Sequence, residues 1–228
     1  VEQDTELARL LADLTTGAAL AYAGRGATGL DTASNLAVEA ARKAMSGDET
    51  AVLAVRDQLD AWLRTDQPEG AFDRRPIHWP LTFPEVFERG GFDAIIGNQP
   101  YLGGQKITGL LGTAYREVLV RVVGRGARGS ADLVAYFVLR SYDLLNSCGQ
   151  LGIIATNTIA QGDTREVGLD QLVDSGLKIR RSVKSKPWPS RSAALEFSVV
   201  WASKAPVAHN AECIADGIKV SGITSSLE

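Results

Sequence analysis

The chain has 228 residues, 45% hydrophobic and 22% charged, which suits one or two globular domains with a substantial core. No apolar run approaches the ~20 residues that cross a bilayer and no signal-peptide pattern is visible, so membrane spans are set aside. Two cysteines and two histidines supply neither a disulfide framework nor a metal-ligand set, so no metal is expected and a reducing cytoplasm is the expected location.

The net charge of −3 is unevenly spread. Residues 1–100 carry 9 Lys/Arg against 16 Asp/Glu, and residues 101–228 carry 15 against 11. Only the second half therefore offers a basic surface to a nucleic-acid backbone.

Residues 1–66 read as three helices. Their apolar stripes run through Leu7, Leu10, Leu11, Leu14 and Ala18, then Ala33, Leu36, Ala37, Ala40 and Ala41, then Val52, Val55, Leu59 and Leu63. The glycine pattern Gly24-Arg-Gly26-Ala-Thr-Gly29 follows a helix rather than a strand and reads as a loop. From Pro76 to Phe87, three prolines among aromatics predict an extended entry into a sheet, with His78 packing beside Trp79.

Phe92 to Ile96 is a short apolar run stopped by Gly97, and it predicts a buried parallel strand. Asn98-Gln99-Pro100-Tyr101 would then lie just past its carboxyl end, where open α/β sheets place ligands. These residue types suit amine chemistry. The lone pair of a base's exocyclic amine is delocalised into the ring. Two fixed acceptors on its hydrogens, the Asn98 side-chain oxygen and the Gln99 carbonyl, would bias that nitrogen toward a tetrahedral nucleophile. Tyr101 offers an aromatic face to an unstacked base, and Pro100 stiffens the turn.

Gly103 to Gly112 reads as a flexible, lightly basic loop, and Ala114 to Val123 as a helix. Lys106 and Arg116 on this stretch are candidates for DNA phosphate contacts. Ser130-Ala-Asp132 should cap a helix running to Asn146 and ending at Cys148-Gly149. Leu151 to Thr156 then gives a second strand, parallel to the first, with Asn157 at its end. Asp163-Thr-Arg-Glu166 has the spacing of a capping box, and Arg165 is held as a further DNA-contact candidate. Lys178 to Lys186 and Leu195 to Trp201 predict two closing strands. Residues 178–191 carry six Lys/Arg and no acid, and Lys184, Lys186, Trp188 and Arg191 form a basic patch with an aromatic, suited to DNA.

The Asn-Gln-Pro-Tyr segment resembles the Asn-Pro-Pro-Tyr motif of S-adenosylmethionine-dependent amino-methyltransferases. The closest likeness is to the adenine-specific (N6) DNA enzymes of large bacterial restriction–modification and phage-defence systems. The likeness runs from about His78 to the C-terminus and includes the His-Trp-Pro, Gly-Asp-Thr-Arg and Trp-Pro stretches. Gln99 departs from the first proline, though the contact implied there is its carbonyl, and Ser190 replaces the glycine of the usual Trp-Pro-Gly turn.

The resemblance implies an α/β fold: a partial Rossmann-like methyltransferase sheet, its second half, with a closing antiparallel hairpin, preceded by a helical segment. The expected division is a helical insertion at 1–75, the catalytic-motif half at 76–205, and a linker toward an absent domain at 206–228. The implied catalytic residues are Asn98, Gln99, Pro100 and Tyr101, the implied cofactor S-adenosyl-L-methionine, and the implied partner double-stranded DNA. No glycine-rich cofactor loop precedes Phe92. The chain is therefore expected to be a fragment that needs the missing half of the domain, in cis or from another chain, and that binds cofactor weakly alone. Its first strand should show an unpaired edge. Two other readings stay open: a methyltransferase acting on protein glutamine or RNA, and a catalytically inactive DNA-binding or interaction fragment.

Overall fold

The computed structural model describes residues 2–26, 28–189, 195–206 and 211–228, with side chains from residue 5 onward. The chain forms two compact units, Val1–Pro84 with Ile107–Val122, and Glu85–Lys106 with Val123–Glu228. The helical segment expected to stop at residue 75 thus runs to 84 and regains 107–122.

In the first unit the three stripes form α1 (Glu2–Tyr22), α2 (Gly29–Ala44) and α3 (Glu49–Leu63). Leu10, Leu14 and Ala18 meet Ala33, Ala37 and Ala40 of α2 and Val55, Leu59 and Trp62 of α3 in one buried cluster. The alanines keep the α2 face flat enough for close approach, and burying a side chain such as Leu14 is worth roughly 1.5–3 kcal/mol. Asp48 starts α3 by accepting the Thr50 N–H at 2.9 Å.

The proline-rich entry is not extended. It holds two single helical turns, α4 (Trp79–Thr82) and α5 (Pro84–Phe87). Pro80 and Pro84 sit in first turns, whose N–H groups have no intrahelical partner, so proline costs nothing there. His78 does not simply pack on Trp79: its Nε2 is 2.8 Å from Asp13 Oδ1 on α1, while Trp79 stacks on Phe83.

The expected flexible loop at 103–112 is mostly helix, α6 (Gly104–Leu111), because Ile107 is fully buried and its packing outweighs the glycines' low propensity. The next helix, α7 (Thr113–Val118), continues as a π-turn over Leu119–Val123. Gly112 cannot cap α7, and its φ of 94° is one a side chain would strain. Asp66 caps it instead, accepting the N–H groups of Thr113 and Ala114. Asp66→Ala is expected to cost about 1–2 kcal/mol in urea unfolding. An unchanged midpoint would contradict this cap.

The second unit is built on a six-stranded sheet in the order β1-β2-β4-β3-β5-β6. β1 (Phe92–Asn98) and β2 (Leu145–Thr156) are parallel, with α8 (Leu133–Leu144) as the crossover. β3 (Lys178–Pro187) and β4 (Glu196–Ser203) close antiparallel, as the sequence predicts. Asp132 caps α8 as expected, accepting the Val134 N–H at 3.0 Å. The helix stops at Leu144 rather than at Asn146, and β2 begins at once with Leu145 opposite Phe92.

Two further expectations are corrected. β1 is not buried: it lies at the sheet edge, and Ile96 is 85% exposed. An apolar run signals a strand without saying how many neighbours cover it. The tail is not only a linker, since β5 (Cys213–Ala215) and β6 (Ile218–Val220) extend the sheet beside β3 and Leu227 is buried. Their hairpin turns on Asp216-Gly217, both at positive φ, the pairing a tight β-turn requires.

Candidate active site

β1 ends on Asn98, in register with Ile154 of β2. Two residues further along β2, Thr156 pairs with Phe197 of β4. The carboxyl ends of β1 and β2 therefore meet the first residues of β4 at one rim of the sheet. Just past β3, Trp188 is fixed there by its N–H donating to the Leu195 carbonyl at 2.9 Å. Its ring meets Phe197 edge to face, with centroids 5.4 Å apart at 84°.

These elements enclose a cavity of about 140 Å³. Asn98, Tyr101, Thr156, Trp188 and Phe197 line it, with Ile154 among its apolar walls. Asn98 is exposed and Tyr101 is 50% exposed, so both present polar or aromatic groups to solvent at the rim. An amide beside three aromatic rings over an apolar floor suits a flat heteroaromatic ring carrying an amine.

A polar cluster adjoins this rim, and the sequence did not announce it as a set. Asn157 Nδ2 donates to Glu196 Oε2 at 2.9 Å and to Ser185 Oγ at 3.2 Å, and the Ser185 hydroxyl donates to the same carboxylate. Three residues from three different strands or their ends converge there, a proximity that pairing register alone reveals.

The other sequence candidates fall as follows. Gln99 folds its side chain back over Gly97, its Nε2 lying 2.7 Å from where a Cβ on residue 97 would stand. Pro100 is exposed on the same loop, and Lys106 is exposed on α6. Arg116 is on α7 in the helical unit, 3.8 Å from Glu117 Oε1. Arg165 is 3.3 Å from Asp170 Oδ2. Lys184 pairs with the Glu228 carboxylate, while Lys186 is exposed opposite Phe197 in register. Arg191 lies outside the described residues. Asn98, Tyr101 and Trp188 are thus brought to one cavity, and the basic candidates do not line it.

The expected capping box at Asp163–Glu166 is not formed. Gln161 precedes that helix without a side-chain cap, and the two residues turn outward instead. Asp163 accepts the Ser130 N–H, and the Thr164 hydroxyl accepts the Asp132 N–H at 3.0 Å. Local spacing proposed an intrahelical partner, but N–H groups of the loop before α8 compete for the same oxygens. Among the described residues, no group of three metal-ligating side chains comes together, and no helix is long and apolar enough to cross a membrane.

Residues 29–178 match the model of the Eco57I restriction-modification methylase family. A Methanocaldococcus jannaschii protein whose name describes a type II restriction enzyme and methyltransferase is 31% identical over 88 residues, which are 39% of this chain and 7% of that protein. The fold is similar to that of the type IIL restriction-modification enzyme MmeI, solved in complex with DNA. The TM-score is 0.52 at 18% identity, covering 78% of this chain and 26% of MmeI. The chain therefore spans only a small part of either protein. With two thirds of its length inside the family match, it belongs to the Eco57I restriction-modification methylase family.

Proposed function

We propose that the protein containing this chain methylates the exocyclic N6 amine of an adenine swung out of double-stranded DNA, within a restriction–modification or phage-defence system. The observation that carries this reading is the placing of Asn98, Tyr101 and Trp188 around one cavity at the sheet rim. In this account the Asn98 side-chain oxygen and the Gln99 carbonyl each accept one hydrogen of the amine. That draws the nitrogen lone pair out of conjugation and points it away from the acceptors. Tyr101 and Trp188 hold the ring faces, and Phe197 braces Trp188. The amine proton leaves after transfer, so no base is needed, in keeping with a rim that presents an amide rather than a histidine.

The methyl donor is assigned as S-adenosyl-L-methionine, which supplies an electrophilic methyl group when bound. The cavity of about 140 Å³ falls below the ~300–1,000 Å³ of most small-molecule sites, so it has room for a base but not for the donor as well. The donor's site is assigned to strands that would pair with the open edge of β1, supplied in cis or by another chain. This is also why the chain alone is expected to be inactive. Phosphate contacts are assigned to Lys106, Arg116, Arg165, Lys184, Lys186 and Arg191.

Mass spectrometry of nucleosides from DNA treated with the intact protein is expected to show N6-methyladenine. Methylation confined to RNA or to protein glutamine would contradict the proposal. Trp188→Ala is expected to weaken capture of the flipped base by roughly 1–3 kcal/mol, raising the KM for DNA about 5- to 150-fold. An unchanged KM would remove Trp188 from the site.

A further inference from the structure

The Asn98–Tyr101 loop leaves the edge strand of the sheet, and among the described residues no further strand pairs outside β1 to steady it. What holds it is at its other end. The N–H of Leu102, the residue after Tyr101, donates to Asp132 Oδ1 at 3.0 Å. The Leu102 carbonyl accepts the Leu133 N–H, also at 3.0 Å. The same Asp132 oxygen caps α8 by accepting from Val134, and the Asp132 N–H is itself tied to Thr164. Asp132 is only 8% exposed, so its carboxylate is shielded and committed to these bonds. The loop approaches so closely that a Cβ on Gly104 would stand 2.3 Å from the Ser130 carbonyl oxygen.

We propose that Asp132 is a positioning residue for methyl transfer. It locks the backbone of Leu102 onto the N-terminus of α8 and so fixes where Asn98, Gln99 and Tyr101 stand at the rim. One carboxylate oxygen serves two purposes, a helix cap and a latch, and only the latch acts on the site. The inference rests on the function proposed above. A loop held at Leu102 by both bonds keeps its acceptors aimed, whereas one left with the Leu133 N–H alone lets them drift, and misplacement by about 1 Å can cost 100-fold in rate.

The test compares kcat and KM of the intact protein for DNA methylation with those of Asp132→Asn, Asp132→Ser, Asp132→Ala and Asn98→Ala. Asparagine keeps an oxygen at the right reach and is expected to hold kcat within about threefold of the parent. Serine is a good N-cap for Val134 but one bond too short to bridge to Leu102. It is expected to leave Tm nearly unchanged and to lower kcat roughly 10- to 100-fold with little change in KM. Alanine removes both roles and is expected to lower Tm and kcat together. If Asp132→Ser methylates at the parental rate while Asn98→Ala does not, the latch is refuted. If Asn98→Ala itself matches the parent, the proposed site is refuted instead.

Discussion

Replacing Asn98 by alanine in the intact protein is expected to lower kcat for methyl transfer by on the order of 10²–10³, with little change in KM. The estimate follows from removing one fixed hydrogen-bond partner of the reacting group, an interaction that strengthens as charge develops on the amine. Asn98 is exposed at the last position of an edge strand, and among the described residues its side chain makes no hydrogen bond. Its loss should therefore change stability by no more than about 0.5 kcal/mol. A variant that folds like the parent but does not methylate would place the defect in the chemistry. Rapid-quench measurement of a single turnover separates this from slowed product release.

The largest expected stability effect lies in the helical unit. Arg74→Ala should cost about 2–4 kcal/mol in urea unfolding. The Arg74 guanidinium donates to the carbonyls of Leu63 at 2.9 Å, Thr65 at 2.7 Å and Leu111 at 2.7 Å. Leu63 and Leu111 are the last residues of α3 and α6, so one cation satisfies the free carbonyl ends of two helices and opposes their negative poles. Burial pulls the Arg74 pKa below the ordinary arginine value, with Tyr115 and Asp66 favouring the charged form. Lysine at this position keeps the charge but has no planar fork and cannot reach three carbonyls in fixed directions. It should recover less than half of the loss. A cost below about 1 kcal/mol for Arg74→Ala would show that water replaces these bonds at no penalty.

Signals that are strong locally were legible in the chain. The leucine and alanine stripes of α1 to α3, the strand–helix–strand order around α8, and the Asp132 cap each rest on periodicity or on one residue's chemistry. So does the approach of Asn98 to the end of β2, since a parallel pair joined by a crossover helix brings matching ends together. What the sequence hid depends on distant neighbours. Ile96 reads as core because an isoleucine in a strand looks the same at an edge as inside. Asp163 and Thr164 read as a cap because nothing in their spacing reveals the loop at Ser130–Asp132. The three-residue strands β5 and β6 are too short for alternation to register, so residues 206–228 read as a linker. Phe197, read as part of an ordinary closing strand, joins the cavity because β4 runs antiparallel to β2 and starts at its rim.

The most direct measurement is a crystal structure of the intact protein bound to DNA that carries its target adenine. The adenine should stand outside the duplex with its ring between Tyr101 and Trp188, its N6 roughly 2.7–3.2 Å from Asn98 Oδ1. An adenine still stacked in the helix, or one extruded with its amine turned away from Asn98, would contradict the account.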